Sequence, residues 1–217
     1  MLSVKHFVAR GARRQITVIA TGIALSACAS QLAQVPPRLD LGNYERIALV
    51  TFSADQSKNS LGQLATQRFA EEVLASQSGF ELLELGPADS SVARLLAEGD
   101  APAAAQALGR DRHIPAVFFG RLAVSDARPR GGVSAGGDVN VAATVSAELN
   151  VRLLSTNTGG TLWRSSGAAS QSVGQVAMYA GRMPSVSATD PNAAYANMVD
   201  QVVAQVTRDF RPTWVRQ

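Results

Sequence analysis

The sequence predicts an α/β (α+β) fold, with helices flanking a single mixed sheet of four to five strands that includes a long β-hairpin. A short, β-rich apolar run at residues 46–52 is followed by apolar residues at helical spacing. Apolar and polar residues then alternate over residues 139–153, and a turn sequence at 157–160 follows. Strand and helix signals in this order are typical of helices packed on one sheet.

The first half of the domain contains two strands and one long helix. Residues 46–52 predict a buried strand, and residues 80–85 predict a second. Between them, Ser60 is suited to cap the N-terminus of a helix and Gly79 to stop it. The apolar face of this helix has the expected spacing: Leu61, Leu64, Ala65, Phe69 and Val73.

Two short helices and a third strand come next. Residues 90–97 and 101–108 predict the helices, and Gly109 is expected to end the second. Residues 116–124 predict the strand. Residues 128–138 hold four glycines and a proline and predict a loop. They lack the Gly-Lys-Ser/Thr ending and the following helix of a phosphate-binding loop.

The long hairpin and a last helix complete the domain. The return strand is expected to begin at residues 161–164 and to fade into Ser, Gly and Ala. Asp190 is an expected N-cap, with Pro191 at the first helical position and Pro212 after the helix. The apolar stripe of this helix is Tyr195, Met198, Val199, Val202, Val203, Val206 and Phe210.

The N-terminus has the pattern of a secretory signal. Residues 1–14 carry four basic residues and no acid, and residues 16–25 form an apolar run. This run is well below the roughly 20 residues that a membrane-spanning helix needs. The sequence therefore predicts a signal peptide at residues 1–27, exported by the general secretory route.

Leu25, Ser26, Ala27 and Cys28 resemble a lipobox, the site at which bacterial lipoproteins are diacylated and cleaved. The cysteine thiol accepts the lipid, and small residues before it admit the peptidase. The alternative for Cys28 is a buried small hydrophobic side chain. Ala29 rather than Asp follows the cysteine, which by resemblance to lipoprotein sorting favours the outer membrane.

The predicted organisation is a signal peptide at 1–27, a lipidated N-terminus and short tether at 28–43, and a periplasmic domain at 44–217. Cys28 is the sole cysteine, so no disulfide forms within one chain. The full chain has 20 basic and 17 acidic residues. Without the four basic residues of the signal the balance is 16 to 17, and no basic field remains to suggest nucleic acid.

Residues for catalysis and metal binding are sparse, so the sequence predicts a protein that is not an enzyme and holds no cofactor. His113 is the one histidine after the signal, and it is expected to be solvated or to cap a helix. A catalytic triad needs partners around such a histidine, and zinc sites use clusters of Cys and His. A hydrolase built on Ser/Lys or carboxylate groups stays open as an alternative.

Three side chains form a candidate partner surface. Trp214 follows the last helix, and a tryptophan there is suited to an interface, with folding back onto the domain as the alternative. Arg128 and Arg130 in the glycine-rich segment could touch an anionic partner, with a solvated loop as the alternative. Trp163 is either a partner anchor or part of the packing under the sheet.

The layout of the domain resembles that of the curli-assembly CsgG-type and penicillin-binding-protein-activator LpoB-type periplasmic lipoproteins. Five segments carry the resemblance: residues 46–52, 80–84, 105–109, 116–120, and 151–159 with Leu162-Trp163. It spans most of residues 44–210. The resemblance implies a lipid-anchored α/β domain that assembles or regulates envelope machinery. The two pore hairpins of the curli channel would correspond to residues 126–139 and 171–189.

These observations predict a lipoprotein anchored to the periplasmic face of the outer membrane by Cys28. It is expected to act as an accessory subunit in envelope assembly or secretion, through contacts with an envelope protein or with copies of itself. The alternative is a regulator that activates a peptidoglycan synthase.

Overall fold

The computed structural model describes residues 32–55, 58–88, 90–126, 128–133, 139–178, 185–188 and 190–216. The chain divides into two compact units. The larger unit spans residues 36–213 and holds the mixed sheet and the helices. In the smaller, the strand β1 (Leu32–Val35) pairs with β10 (Thr213–Arg216) in a two-stranded sheet.

The larger unit contains eight strands and four α-helices among its described residues. The strands are β2 (Arg46–Val50), β3 (Ser53–Ala54), β4 (Glu81–Gly86), β5 (Ala116–Val124), β6 (Arg128–Val133), β7 (Val139–Ser155), β8 (Thr161–Met178) and β9 (Ser185–Ala188). The helices are α1 (Asn59–Ser76), α2 (Ser90–Ala97), α3 (Ala101–Arg112) and α4 (Pro191–Val206). Short 3-10 helices lie at Leu41–Asn43 and Thr207–Phe210.

The strands form one mixed sheet in the order β4-β2-β5-β7-β8-β9. β2 is parallel to both β4 and β5, whereas β5, β7, β8 and β9 are successively antiparallel. β3 extends the β2 side of β5, and β6 extends the β5 side of β7. The predicted fold class and long hairpin are confirmed, but the sheet has eight strands rather than four to five.

Two apolar cores lie on opposite faces of this sheet. On one face, α1 and α4 cover alternate residues of β5 and β7, including Phe118, Leu149 and Val151. On the other face, α2 and α3 cover a smaller core that includes Val117 and Phe119. Neighbouring residues of one strand point to opposite faces, so β5 contributes to both cores.

Aromatic rings join the elements of the larger core. Phe69 of α1 makes edge-to-face contacts with Phe52 at 5.2 Å and with Phe118 at 5.1 Å between ring centroids. Phe210 lies 6.1 Å from Phe69 and 4.8 Å from Trp163. Such pairs add stability beyond the apolar area they bury.

The predicted stop of the second short helix at Gly109 is wrong. Helix α3 continues to Arg112, and His113 caps it in the left-handed conformation, with φ of 56°. The backbone N–H of His113 donates to the carbonyl of Gly109 at 2.9 Å. Gly109 lies against Thr156, where an added Cβ would overlap the threonine side chain. The glycine therefore serves close packing of α3 on the hairpin, and His113 has the capping role.

Helix α1 also differs at both predicted ends. It begins after Lys58, which makes no side-chain capping bond, rather than after Ser60. It ends at Ser76, and Gln77 is its C-cap, two residues before Gly79. The start of α4 is as predicted, because the Asp190 carboxylate accepts from the N–H of Asn192 at 3.0 Å.

The glycine-rich segment expected to be a loop contains a strand. β6 pairs along residues 139–144 of β7, with Arg128 opposite Thr144 and Val133 opposite Val139. The return strand β8 does not end in the Ser, Gly and Ala residues but continues to Met178. Near its C-terminal end, residues 174–177 pair with β9. The long partner β7 imposes extended structure on segments whose own β-propensity is low.

Gln77 ties three parts of the chain together. Its side-chain carbonyl accepts from the Leu41 N–H at 2.7 Å. Its amide group donates to the carbonyls of Leu39, at 2.6 Å, and Phe210, at 3.0 Å. One half-buried side chain thus joins the C-terminus of α1 to the segments before β2 and after α4.

Replacing Gln77 by alanine is expected to lower the free energy of unfolding by about 2–3 kcal/mol, because three backbone groups lose their partner in a partly desolvated place. Urea denaturation of the mature protein measures this. Gln201→Ala, an exposed position on α4, is the matched control and should change stability by less than about 0.5 kcal/mol. Equal effects of the two variants would contradict the assigned role.

Candidate functional site

Three arginines lie side by side on one face of the sheet. β5 and β7 pair Arg121 with Asn150 and Phe119 with Arg152, so Arg121 and Arg152 are diagonal neighbours. β7 and β8 pair Arg152 directly with Arg164. All three residues are exposed. The face is the one that α2 and α3 cover elsewhere, since Phe119 belongs to their core.

A cleft of about 1000 Å³ opens beside Arg121 and Arg152. It lies where β2 and β3 end, between the sheet face and helix α2, a common place for ligands in open α/β sheets. The polar side chains lining it are Thr51, Ser53, Asp55, Asn59, Gln63, Arg121, Asn150 and Arg152. The apolar wall comes mainly from Ala93, Leu96 and Ala97 of α2.

Positive charge is in excess among the described residues that line the cleft. The charged side chains among them are Arg121, Arg152 and Asp55. Ion pairs among the described residues use the guanidinium groups of other arginines, at positions 38, 46, 68 and 211. The Asn150 amide group donates to Glu148 at 2.9 Å, next to the cleft. Within the described residues, the two lining guanidinium groups form no ion pair and keep their donors available.

A second feature is the end of the hairpin that reaches past the apolar core. The buried positions of β7 run from Val145 to Leu154. Earlier in the strand, Val141 is 38% exposed. At this end β6 and β9 flank the hairpin on its two sides. Arg128, a predicted partner-surface residue, is exposed here on β6, and Arg130 is on the same strand.

A third feature is a group of exposed apolar side chains on the two-stranded sheet formed by β1 and β10. Trp214 is 62% exposed and Leu32 is 60% exposed. Val35 and Val215 are exposed as well. These four residues are more than half of the seven large exposed hydrophobic side chains among the described residues. Trp214, the predicted partner-surface residue, is therefore exposed to solvent, and its role at an interface stays a prediction.

Trp163 belongs to the packing rather than to a surface. Its indole N–H donates to the Asp209 carboxylate at 3.1 Å, and its ring packs on Phe210 and Phe118. His113 is exposed at the end of α3. Cys28 and the lipobox residues Leu25, Ser26 and Ala27 lie outside the described residues.

The titrating pair with a clear shift lies away from the cleft, on the exposed face of α1. Hydrogen bonds from Arg68 and Gln67 hold the pKa of Glu71 below its usual value. The same bond, together with the nearby Asp200, raises the pKa of Arg68. Arg68 thereby links α1 to α4, with 3.2 Å between Arg68 Nε and the Asp200 carboxylate. This is a surface contact between helices, not an acid–base pair.

Two features are absent from the described part of the chain. It holds no group of three or more His, Cys, Asp and Glu side chains placed to bind a metal ion. Nor does it contain a helix that is long and apolar enough to cross a membrane.

The sequence alone did not point to Arg121 and Arg152. Both lie at polar positions of predicted strands, where a single arginine is unremarkable on a solvent-facing side. The signal that could have found them is the pairing of β5 with β7, because only this register makes residues 31 positions apart into neighbours.

Several solved structures are similar to this chain. A PelC dodecamer from Paraburkholderia phytofirmans matches with a TM-score of 0.42 and 15% identity, over 87% of this chain and 99% of that one. Lipoprotein GNA1162 from Neisseria meningitidis matches with a TM-score of 0.33 and 18% identity, over 58% and 83%. The LpoB C-terminal domain from Salmonella enterica matches with a TM-score of 0.29 and 12% identity, over 58% and 83%.

These neighbours include lipoproteins, and LpoB is among the proteins that the sequence already resembled. TM-scores below 0.5 at such identities assign neither a function nor an assembly state to this chain. No family model matches the sequence, and no curated protein matches it either.

Proposed function

We propose that the chain is a lipid-anchored protein of the bacterial envelope, held at the periplasmic face of the outer membrane by lipid on Cys28. It acts without catalysis, as an accessory subunit in envelope assembly or secretion. Its partners are an envelope protein and further copies of itself. The support for the anchor is the lipobox at residues 25–28 behind a short apolar run.

The observation that carries the proposal is the difference between the two outermost strands of the sheet. β4, at one side, has two exposed glutamates, Glu81 and Glu84. β9, at the other side, is Ser-Val-Ser-Ala and has neither charge nor proline. Charges and prolines are the means by which proteins keep outer strands from pairing with other chains. β9 lacks both and is suited to accept a strand.

The position of β9 supports the same conclusion. It pairs with residues 174–177 of β8, at the end of the hairpin that extends past the core residue Val145. A strand added there gains backbone hydrogen bonds without disturbing the helical layers, as in other cases of strand addition. Pairing of β9 with β9 of a second, identical subunit would form a closed two-fold interface and give a defined oligomer.

The test is the native mass of the detergent-extracted mature protein, measured for three chains. The wild type is expected to form one discrete oligomer. Val186→Lys places a charge in the middle of β9 and is expected to give the monomer. Glu84→Lys places the same charge on β4, the other outer strand, and should leave the oligomer intact.

A monomeric wild type would contradict the assembly proposal and favour the alternative, a regulator of a peptidoglycan synthase. Dissociation by Glu84→Lys with retention in Val186→Lys would move the interface to β4. Neither outcome tests the lipid anchor, for which a separate experiment is needed.

A further inference from the structure

We propose that the cleft beside β5 and β7 binds a small oxyanionic ligand, a carboxylate or phosphate group on a hydroxyl-bearing body, which Arg121 and Arg152 hold. This goes beyond the proposed function, which concerns contacts between proteins. The two residues are diagonal neighbours on one sheet face, and both line the cleft. Guanidinium groups suit this ligand because their planar donors match the paired oxygens of carboxylates and phosphates.

The arginine row concentrates positive charge on one face of the sheet. Arg152 lies directly opposite Arg164 on β8 and diagonal to Arg121 on β5. Like charges in directly opposed strand positions destabilise a sheet. The ion pairs that the described chain makes are formed by other arginines. Glu148 lies diagonal to Arg121 on the same face, but it accepts from Asn150 and forms no ion pair with the arginines of the row. An oxyanion in the cleft would neutralise positive charge of the row, so the folded protein and the ligand stabilise each other.

The other residues that line the cleft are suited to bind the hydroxyl-bearing part of the ligand. Asn59 and Gln63 bring side-chain amides from the first turns of α1, and Asn150 brings a third from β7. Each amide offers both a donor and an acceptor, which is what hydroxyl groups need. The wall formed by Ala93, Leu96 and Ala97 gives the ligand an apolar surface to pack on. The volume of about 1000 Å³ is at the upper end of the range for small-molecule sites.

Asp55 allows a test in which a substitution is expected to strengthen binding rather than weaken it. Among the described residues it is the one acidic side chain that lines the cleft, and it faces the same space as the two arginines. Its carboxylate lies more than 4.0 Å from both guanidinium groups, since neither forms an ion pair with it. Removing this charge should strengthen the binding of an anion, whereas removing either arginine should weaken it.

The experiment is isothermal titration calorimetry of the mature protein in detergent at low ionic strength. The probes are glucose 6-phosphate, glucuronate, inorganic phosphate and uncharged glucose. Glucose 6-phosphate, glucuronate or both are expected to bind saturably at one site, more tightly than inorganic phosphate, and glucose is expected not to bind. Which of the two sugars binds distinguishes phosphate from carboxylate as the natural group.

Four variants assign the effect to the cleft. Arg121→Gln and Arg152→Gln should each weaken binding by about tenfold or more, because a charged hydrogen-bonding group is lost. Asp55→Asn should strengthen it by about threefold, a gain that misfolding cannot produce. Arg208→Gln, an exposed arginine after α4, should change nothing. The proposal is overturned if neither charged sugar binds, if glucose or inorganic phosphate binds equally well, or if Arg208→Gln weakens binding as much as the cleft variants.

Discussion

Replacing Phe69 by alanine is expected to lower the free energy of unfolding by about 3–5 kcal/mol, the usual range for loss of a fully buried phenylalanine. Phe69 has no exposed surface and points from α1 into the larger core. Its ring contacts three other rings, those of Phe52, Phe118 and Phe210. The substitution therefore removes the contact that joins α1, the sheet and the 3-10 helix after α4.

Urea denaturation of the mature protein measures this loss as a lower midpoint with an unchanged slope. Leu74→Ala is the matched control, because Leu74 lies on the same helix but is 51% exposed. It removes a hydrophobic side chain of comparable size from the solvent side, and a change below about 0.5 kcal/mol is expected. Similar losses in the two variants would mean that α1 does not pack on the sheet through Phe69.

The elements that the sequence predicted most accurately have strong local signals. Helix α2 and strand β5 begin and end where the pattern placed them, at residues 90–97 and 116–124. Helix α4 starts where Asp190 and Pro191 indicated. An N-cap side chain, a proline at the first turn and a short apolar run act within a few residues, so they can be read without knowing the rest of the fold.

The elements that were missed depend on distant partners. β6 is rich in glycine, and the second half of β8 is rich in serine, glycine and alanine, so neither has much β-propensity. Both are strands because β7 offers a long row of backbone donors and acceptors beside them. Gly109 was misread for a similar reason, since its packing partner Thr156 is 47 residues away.

The candidate site residues also fall into two groups, those with a local signal in the sequence and those whose surroundings depend on distant residues. Trp214 was a candidate because it follows Pro212, beyond the last apolar stripe; it is exposed, and its role as a partner residue stays a prediction. Trp163 could not be decided, since its burial depends on Phe210 and Asp209 arriving from the C-terminal part of the chain. The sequence did not predict the cleft, because no local pattern places Arg121 beside Arg152.

Loss of the anchor is expected to have the largest effect on where the protein is found. Cys28→Ala removes the thiol that accepts the lipid, and the protein should move from the membrane fraction to the soluble periplasmic fraction. Two or three acyl chains hold a protein stably, at about 0.8 kcal/mol for each buried methylene group. Fractionation with immunoblotting checks this, and Ser30→Ala, two residues away, should stay with the membrane.

The same substitution also blocks cleavage, so an uncleaved apolar segment at residues 16–25 could keep the variant on the membrane. A second chain that begins at Ala29, exported behind an ordinary secretory signal, removes that ambiguity. We expect it in the soluble fraction, while the lipidated wild type stays bound. If this chain remained on membranes, the anchor would be unnecessary for attachment. The membrane contact would then be expected at the exposed side chains of β1 and β10, Leu32 and Trp214.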